Sequence, residues 1–209
     1  MGAPIVCFGA EHPSEMLVIG GMHGDEPEAV VAMSAALRMI SADDLTCPVV
    51  IACNPDGLAL GTRANANGVD LNRNFPSRDW TDGGTTYRWS SADPSDTVLG
   101  TGDEPASEPE TRALIDLIER RSPRFVFSFH APLGLVEDPG KTELGGWFAE
   151  AARLPIEPDV GYPTPGSMGT WLTERGVAVI TAELPHVSPD EAIRTYAPVL
   201  ARLLRGDAA

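Results

Sequence analysis

Short apolar runs that alternate with helix-starting signals predict an α/β fold, a single-domain α/β/α sandwich around a mixed, mostly parallel sheet. Three observations carry that prediction. Met16–Ile19, Val49–Cys53, Phe125–Ser128 and Val177–Ala182 are apolar runs of four to six residues, the length of strands buried on both faces. Segments with helical caps and spacing lie between them. The chain has 209 residues, 43% of them hydrophobic. That suits one domain over residues 1–209, able to bury roughly 70% of the surface its unfolded form exposes.

Taken in order, Met16–Ile19 is closed by Gly20-Gly21 and reads as the first strand. Asp25, with Glu28 three residues on and Pro27 in the first turn, predicts a helix through about Ile40. Val49–Cys53 is a second strand, stopped by the turn Asn54-Pro55-Asp56-Gly57. Ser107 and Glu110 form a capping box for a helix from Glu108 to Arg120, and Phe125–Ser128 is the third strand. A helix is expected from Glu143 to Arg153, and a short one from Ser167 to Arg175 with Gly176 as its stop. Val177–Ala182 is the fourth strand and Pro189–Leu204 the closing helix. One segment breaks the rhythm. Ser77 to Ala106 is rich in Asp, Gly, Ser and Thr, carries Trp80, Tyr87 and Trp89, and shows neither helical nor strand period. So long a connection inside a domain is usually functional.

Charge narrows the function classes. There are 30 acidic against 15 basic side chains, a net charge of -15, and Lys141 is the one lysine. A surface this negative repels phosphate backbones and anionic lipid, which excludes nucleic acid and membrane as partners. No apolar run approaches the ~20 residues of a membrane helix. The start Met1-Gly2-Ala3-Pro4-Ile5-Val6 lacks the basic and apolar stretches of a signal peptide. Cys7, Cys47 and Cys53 are odd in number and unpatterned, so they read as reduced, mostly buried thiols. A cytoplasmic location is the expectation.

In parallel α/β sheets, ligands sit beyond the carboxyl ends of the strands. Three polar clusters fall there: His23-Gly24-Asp25-Glu26, Phe129-His130 and Glu183. His23 and Glu26 are three apart where a strand turns into a helix, so their side chains can converge. With His130 they make a His2Glu set, the ligand set of a catalytic zinc site with a fourth position left for water. Taken alone, the His-x-x-Glu pair is weak evidence and reads more readily as a helix-capping glutamate beside a surface histidine. Glu183 closes an apolar strand, where a carboxylate is costly unless partnered or useful. It is either a general base toward the attacking water or a carboxylate neutralised by a nearby arginine. The loop Gly61 to Pro76 holds Arg63, Arg73, Asn65, Asn67, Asn72 and Asn74. It suits anion recognition, since the arginine fork matches a carboxylate. Pairing of Arg63 and Arg73 with local Asp56 and Asp70 is the alternative.

Together these clusters resemble the zinc carboxypeptidase superfamily: His23 and Glu26, Asn72-Arg73, His130 and Glu183 occur in that family's order and approximate spacing. Gly61 to Pro76, Tyr87-Arg88-Trp89, Thr101-Gly102-Asp103 through Thr111, Glu137-Asp138-Pro139 and Gly161-Tyr162 through Ser167 are similar to the bacterial murein peptide amidases. The resemblance implies one Zn2+ per chain held by His23, Glu26 and His130, with Glu183 as general base. It further implies that Arg63 stabilises the oxyanion and that Asn72 and Arg73 grip a terminal carboxylate. The implied partner is a small murein peptide, cut between γ-D-glutamate and meso-diaminopimelate. A homodimer stays open.

Two departures stand out. The amidases place an aspartate directly after the third zinc ligand, where this chain has Ala131. They also usually carry further residues ahead of the stretch matching Gly2-Ala3-Pro4-Ile5. Tyr162 is an uncertain counterpart of the tyrosine that digestive carboxypeptidases bring over the substrate. Glu137 and Asp138 are candidates for the distal ammonium of diaminopimelate, or simply caps of a turn. Two other functions compete: deacylation of small N-acyl amino acids, as in the succinylglutamate desuccinylase and aspartoacylase group, and non-catalytic binding of cell-wall peptide. The Gly166-Ser167 segment, Trp171 and the amidase-like loop favour the amidase over the deacylase.

Overall fold

Successive strand residues point to opposite faces of a sheet, so a run that is apolar throughout needs a helical layer on each side. The computed structural model describes residues 2–9, 14–88 and 96–207, and has this architecture. In chain order the first half comprises β1 (Cys7–Phe8), β2 (Met16–Gly20), α1 (Pro27–Arg38), β3 (Val49–Val50) and α2 (Pro55–Leu60). A hairpin follows, β4 (Thr85–Arg88) and β5 (Asp96–Leu99), then α3 (Pro109–Arg121) and β6 (Phe125–His130). The rest is β7 (Leu133–Glu137), α4 (Glu143–Ala152), β8 (Ile156–Glu157), α5 (Met168–Thr173), β9 (Ala178–Pro185) and α6 (Pro189–Leu204).

The main sheet runs β1-β3-β2-β6-β9-β7-β8. Strands β3, β2, β6 and β9 are parallel, while β1 and β7 run antiparallel to their inner neighbours. Alternate residues divide two cores. Val18, Phe127, Phe129, Ile180 and Ala182 pack under α1, α4 and α6, where Phe148 stands edge-on to both Phe127 and Phe129. Leu17, Ile19, Val126 and Val179 face α3 and α5 with Leu114, Phe75 and Trp171.

The fold adds the edge strands β1, β7 and β8 to the expected elements and departs from them elsewhere as well. β3 ends at Val50, because the chain then swings off the ladder and sends the Cys53 and Asn54 amides to the Gly20 and Gly21 carbonyls, at 3.0 and 2.9 Å. Asn54-Pro55-Asp56-Gly57 opens α2 instead of making a turn, with Asn54 accepting from Gly57 N at 2.9 Å and Pro55 in the first turn. Neither capping box forms: Pro27 and Pro109 start their helices one residue later than the boxes need, leaving Glu26 and Glu108 at the cap positions with no side-chain bond to the helix start. α1 stops at Arg38, short of Ile40. Ser77 to Ala106 holds the antiparallel pair β4–β5, with Tyr87 opposite Thr97. Its strands escape periodicity because β5 is almost wholly exposed. Trp89 of this segment, and His12, lie outside the described residues.

Candidate active site

The parallel strands bring their carboxyl ends to one edge of the sheet, and the polar clusters meet there. His130 and Glu183 are direct partners across β6 and β9. The chain leaving β2 turns through Gly21 at φ +65°. At Gly24 it passes so close to the backbone of Gly57 and Leu58 that a Cβ would collide with it. Those two glycines bend the loop tightly enough to bring His23 and Glu26 back over the sheet.

His23, Glu26 and His130 are all buried, and their candidate ligand atoms lie within 4.8 Å of one another. His23 Nδ1 is 2.7 Å from Glu26 Oε1, His130 Nδ1 is 3.1 Å from Glu26 Oε2, and the two Nδ1 atoms are 3.3 Å apart. Tetrahedral zinc with bonds of ~2.0–2.1 Å separates its ligand atoms by roughly 3.3 Å. Two imidazole nitrogens and a carboxylate oxygen at such spacing therefore fit the ion in donor type and in reach.

Asp70 lies behind this set and was missed as a site residue. Its Oδ1 stands 3.0 Å from His23 Nε2, and its Oδ2 accepts from Arg63 Nε at 2.9 Å. With the His23 proton committed to Asp70, the lone pair falls on Nδ1, facing Glu26 and His130. Arg63 also donates to Glu26 Oε1 at 3.0 Å, and its guanidinium lies 5.1 Å from the Tyr87 ring centroid. The Tyr87 hydroxyl donates to Asp25, tying the hairpin to the metal loop.

The charges here are held in place by their neighbours. Burial disfavours a charged His23 and Arg63 repels it, yet Glu26 and Asp70 outweigh both and raise its pKa to about 9. Burial likewise opposes charge on Asp70, but Arg63 and His23 hold its carboxyl well below the usual range. The negative charge that Glu26 and Asp70 place around His23 suits a dication, which would take the Nδ1 lone pair in place of a second proton. Glu183 is pushed up, first by burial and then by the Glu26 charge, against the opposing pull of His130. Its Oε2 is buried and has no hydrogen-bond partner among the described residues. No arginine forms an ion pair with it among the described residues, so the arginine-neutralised alternative fails.

These groups open onto one cavity of about 320 Å³, lined also by Asn72, Arg73, Tyr87, Leu133, Glu137, Tyr162, Thr164 and Ser167. Asp70 also starts the turn that carries the Asn-Arg pair, accepting from Asn72 N at 2.9 Å. Asn72 Oδ1 accepts from Met168 N at 2.9 Å, so its amide NH2 is what it can offer a ligand. Arg73 is buried, donates to the Asn72 carbonyl at 2.7 Å and makes no ion pair among the described residues. Burial lowers its pKa from the ordinary value, the strain that a bound carboxylate would relieve.

Other candidates part company with the site. Asn65 and Asn67 donate to Glu108, and Asn74 to the Thr101 carbonyl and Ser107, so three of the four loop asparagines are braces. Asp56 accepts from the amides of Gly2 and Ala3, away from the cavity. Asp138 is buried and accepts from the Thr142 amide and hydroxyl at the start of α4. Trp171 is a core residue, fully buried against Phe75. Tyr162 lines the cavity but is 53% exposed. Ala131 contributes its backbone, donating N–H to Glu26 Oε2 at 3.2 Å.

Residues 9–136 match the family described as zinc carboxypeptidase. Murein peptide amidase A of Escherichia coli (strain K12) is 51% identical over 98% of this chain and 86% of its own length. Murein peptide amidase A of Vibrio campbellii is 48% identical over 99% and 85%. The crystal structure of murein-tripeptide amidase from Escherichia coli O157 superposes with a TM-score of 0.93 at 50% identity, covering 98% of this chain and 87% of that one. Carboxypeptidase A from Helicoverpa armigera shares the fold, with a TM-score of 0.70 at 18% identity over 96% and 62%. The chain therefore belongs to the zinc carboxypeptidase family and is a zinc-dependent hydrolase.

Proposed function

We propose that the protein is a murein peptide amidase that hydrolyses the bond between γ-D-glutamate and meso-diaminopimelate in murein tripeptide, acting on free peptide in the cytoplasm. One observation carries the chemistry: a His2Glu triad, a buried carboxylate with one oxygen unpartnered and a buried arginine without an ion pair among the described residues open onto the same cavity. Near-complete alignment with amidases at about half identity supports the substrate.

His23, Glu26 and His130 would hold the zinc, with Asp70 fixing the His23 tautomer. When bound, the ion supplies Lewis acidity toward the scissile carbonyl and the attacking water. Glu183 takes a proton from that water and passes it to the departing amine, so hydroxide ends on the glutamyl carbon and hydrogen on the diaminopimelate nitrogen. Arg63 stabilises the charge that develops on the carbonyl oxygen. Arg73 and the Asn72 amide hold the free carboxylate of the released residue, which makes the enzyme remove terminal residues only.

Purified, zinc-loaded protein offered murein tripeptide, N-succinylglutamate and N-acetylaspartate tests this reading. Turnover of the tripeptide alone is expected. Rapid deacylation of either small compound with the tripeptide intact would replace the amidase by a deacylase, and no turnover of any would leave only a binding role.

A further inference from the structure

Four carboxylates line the cavity: Glu26, Asp70, Glu137 and Glu183. Glu26 and Asp70 are saturated by histidine and arginine, and Glu183 stands beside the triad. Glu137 has no such occupation. It is the last residue of β7, and the nearby Thr181 hydroxyl and Val160 backbone favour its charged form against the cost of burial. No arginine, lysine or histidine forms an ion pair with it among the described residues. The charges that act on it are His130, already in the triad, and Asp159, a second carboxylate. A half-buried anion with another anion beside it is unfavourable until a cation arrives.

Its position adds the second half of the argument. β7 and β9 are antiparallel, with Leu135 opposite Glu183 and Glu137 opposite Thr181. Glu137 and Glu183 are thus diagonal neighbours, with backbones about 7–8 Å apart. An extended side chain of lysine length spans that gap.

We propose that Glu137 is the specificity-determining residue for the side chain of the released amino acid, its carboxylate receiving an ammonium group at that side chain's far end. The inference rests on the amidase reading for where the substrate's reacting nitrogen lies. A neutral side chain of equal length would leave Glu137 desolvated and unpaired, and an acidic one would be repelled, so selection works by penalty as well as by attraction.

Calorimetric titration of the zinc-loaded protein with free meso-diaminopimelate, L-lysine and L-norleucine tests this. Both diamino acids are expected to bind at least about tenfold more tightly than norleucine, the scale of a charge-assisted hydrogen bond. In Glu137→Gln that preference disappears, with the diamino acids binding more weakly and norleucine more tightly than in the wild type, and in Glu137→Asp part of it remains. Equal affinities in the wild type, absence of binding, or a preference that survives Glu137→Gln would each overturn the proposal. If the ammonium preference is present but the tripeptide is not cleaved, the amidase reading falls and the role of Glu137 stands.

Discussion

Asp70 Oδ1 lies 3.0 Å from His23 Nε2, across the imidazole from the Nδ1 that faces Glu26 and His130. A carboxylate in that place orients a ligand it never replaces, and its other oxygen holds Arg63. Replacement by Asn keeps an acceptor for one partner and turns an NH2 toward the other. Asp70→Asn should therefore weaken zinc binding by about 10–100-fold and destabilise the fold by about 3 kcal/mol, because a buried ion pair is broken. Chelator competition reads the first effect and denaturant titration the second. Unchanged zinc affinity in the folded variant would remove Asp70 from the metal centre.

Glu183 touches no triad atom within hydrogen-bond range, so its loss separates catalysis from metal binding. Glu183→Gln should retain zinc at one per chain and lose at least ~10²-fold in kcat. His23→Ala should lose most of its zinc, and its turnover with it. Metal analysis beside steady-state kinetics decides both. Substantial turnover in the glutamine variant would mean that the base lies elsewhere.

The thiols give a pH-dependent check on the fold. Burial pushes Cys47 up to about 12 and raises Cys53 further, while Cys7 is half-buried and also raised. A raised thiol pKa keeps the unreactive protonated form. At pH 8, four units below, the Cys47 thiolate fraction is on the order of 10⁻⁴. Iodoacetamide at pH 8 should therefore leave Cys47 and Cys53 unmodified in folded protein, with any labelling confined to Cys7. All three should react in guanidinium. Fast native labelling of Cys53 would contradict its placement in the core.

What the sequence made legible follows from where chemistry meets periodicity. His130 and Glu183 are conspicuous because each ends an apolar run, and His23 and Glu26 because they follow one closely at a spacing of three; parallel strands bring such ends together. Asp70 was legible as a partner for an arginine, which it is for Arg63, but not as the carboxylate behind His23, because nothing in its loop sequence ties it to the first strand end. The edge strands β7 and β8 and the β4–β5 hairpin lack two apolar faces, so no run announced them. Neither capping box was real, because a proline in the first turn decided each helix start before the box could.

The most direct test of the account is to locate the bond that is cut. L-Ala-γ-D-Glu-meso-diaminopimelate, incubated with the zinc-loaded protein and followed by mass spectrometry, should yield L-Ala-D-Glu and free diaminopimelate. The same peptide with the carboxylate assigned to Arg73 amidated should react far more slowly, since the charge-assisted pair is lost and a buried arginine is left without a partner. Release of alanine, or equal rates on the free and amidated peptides, would contradict the account.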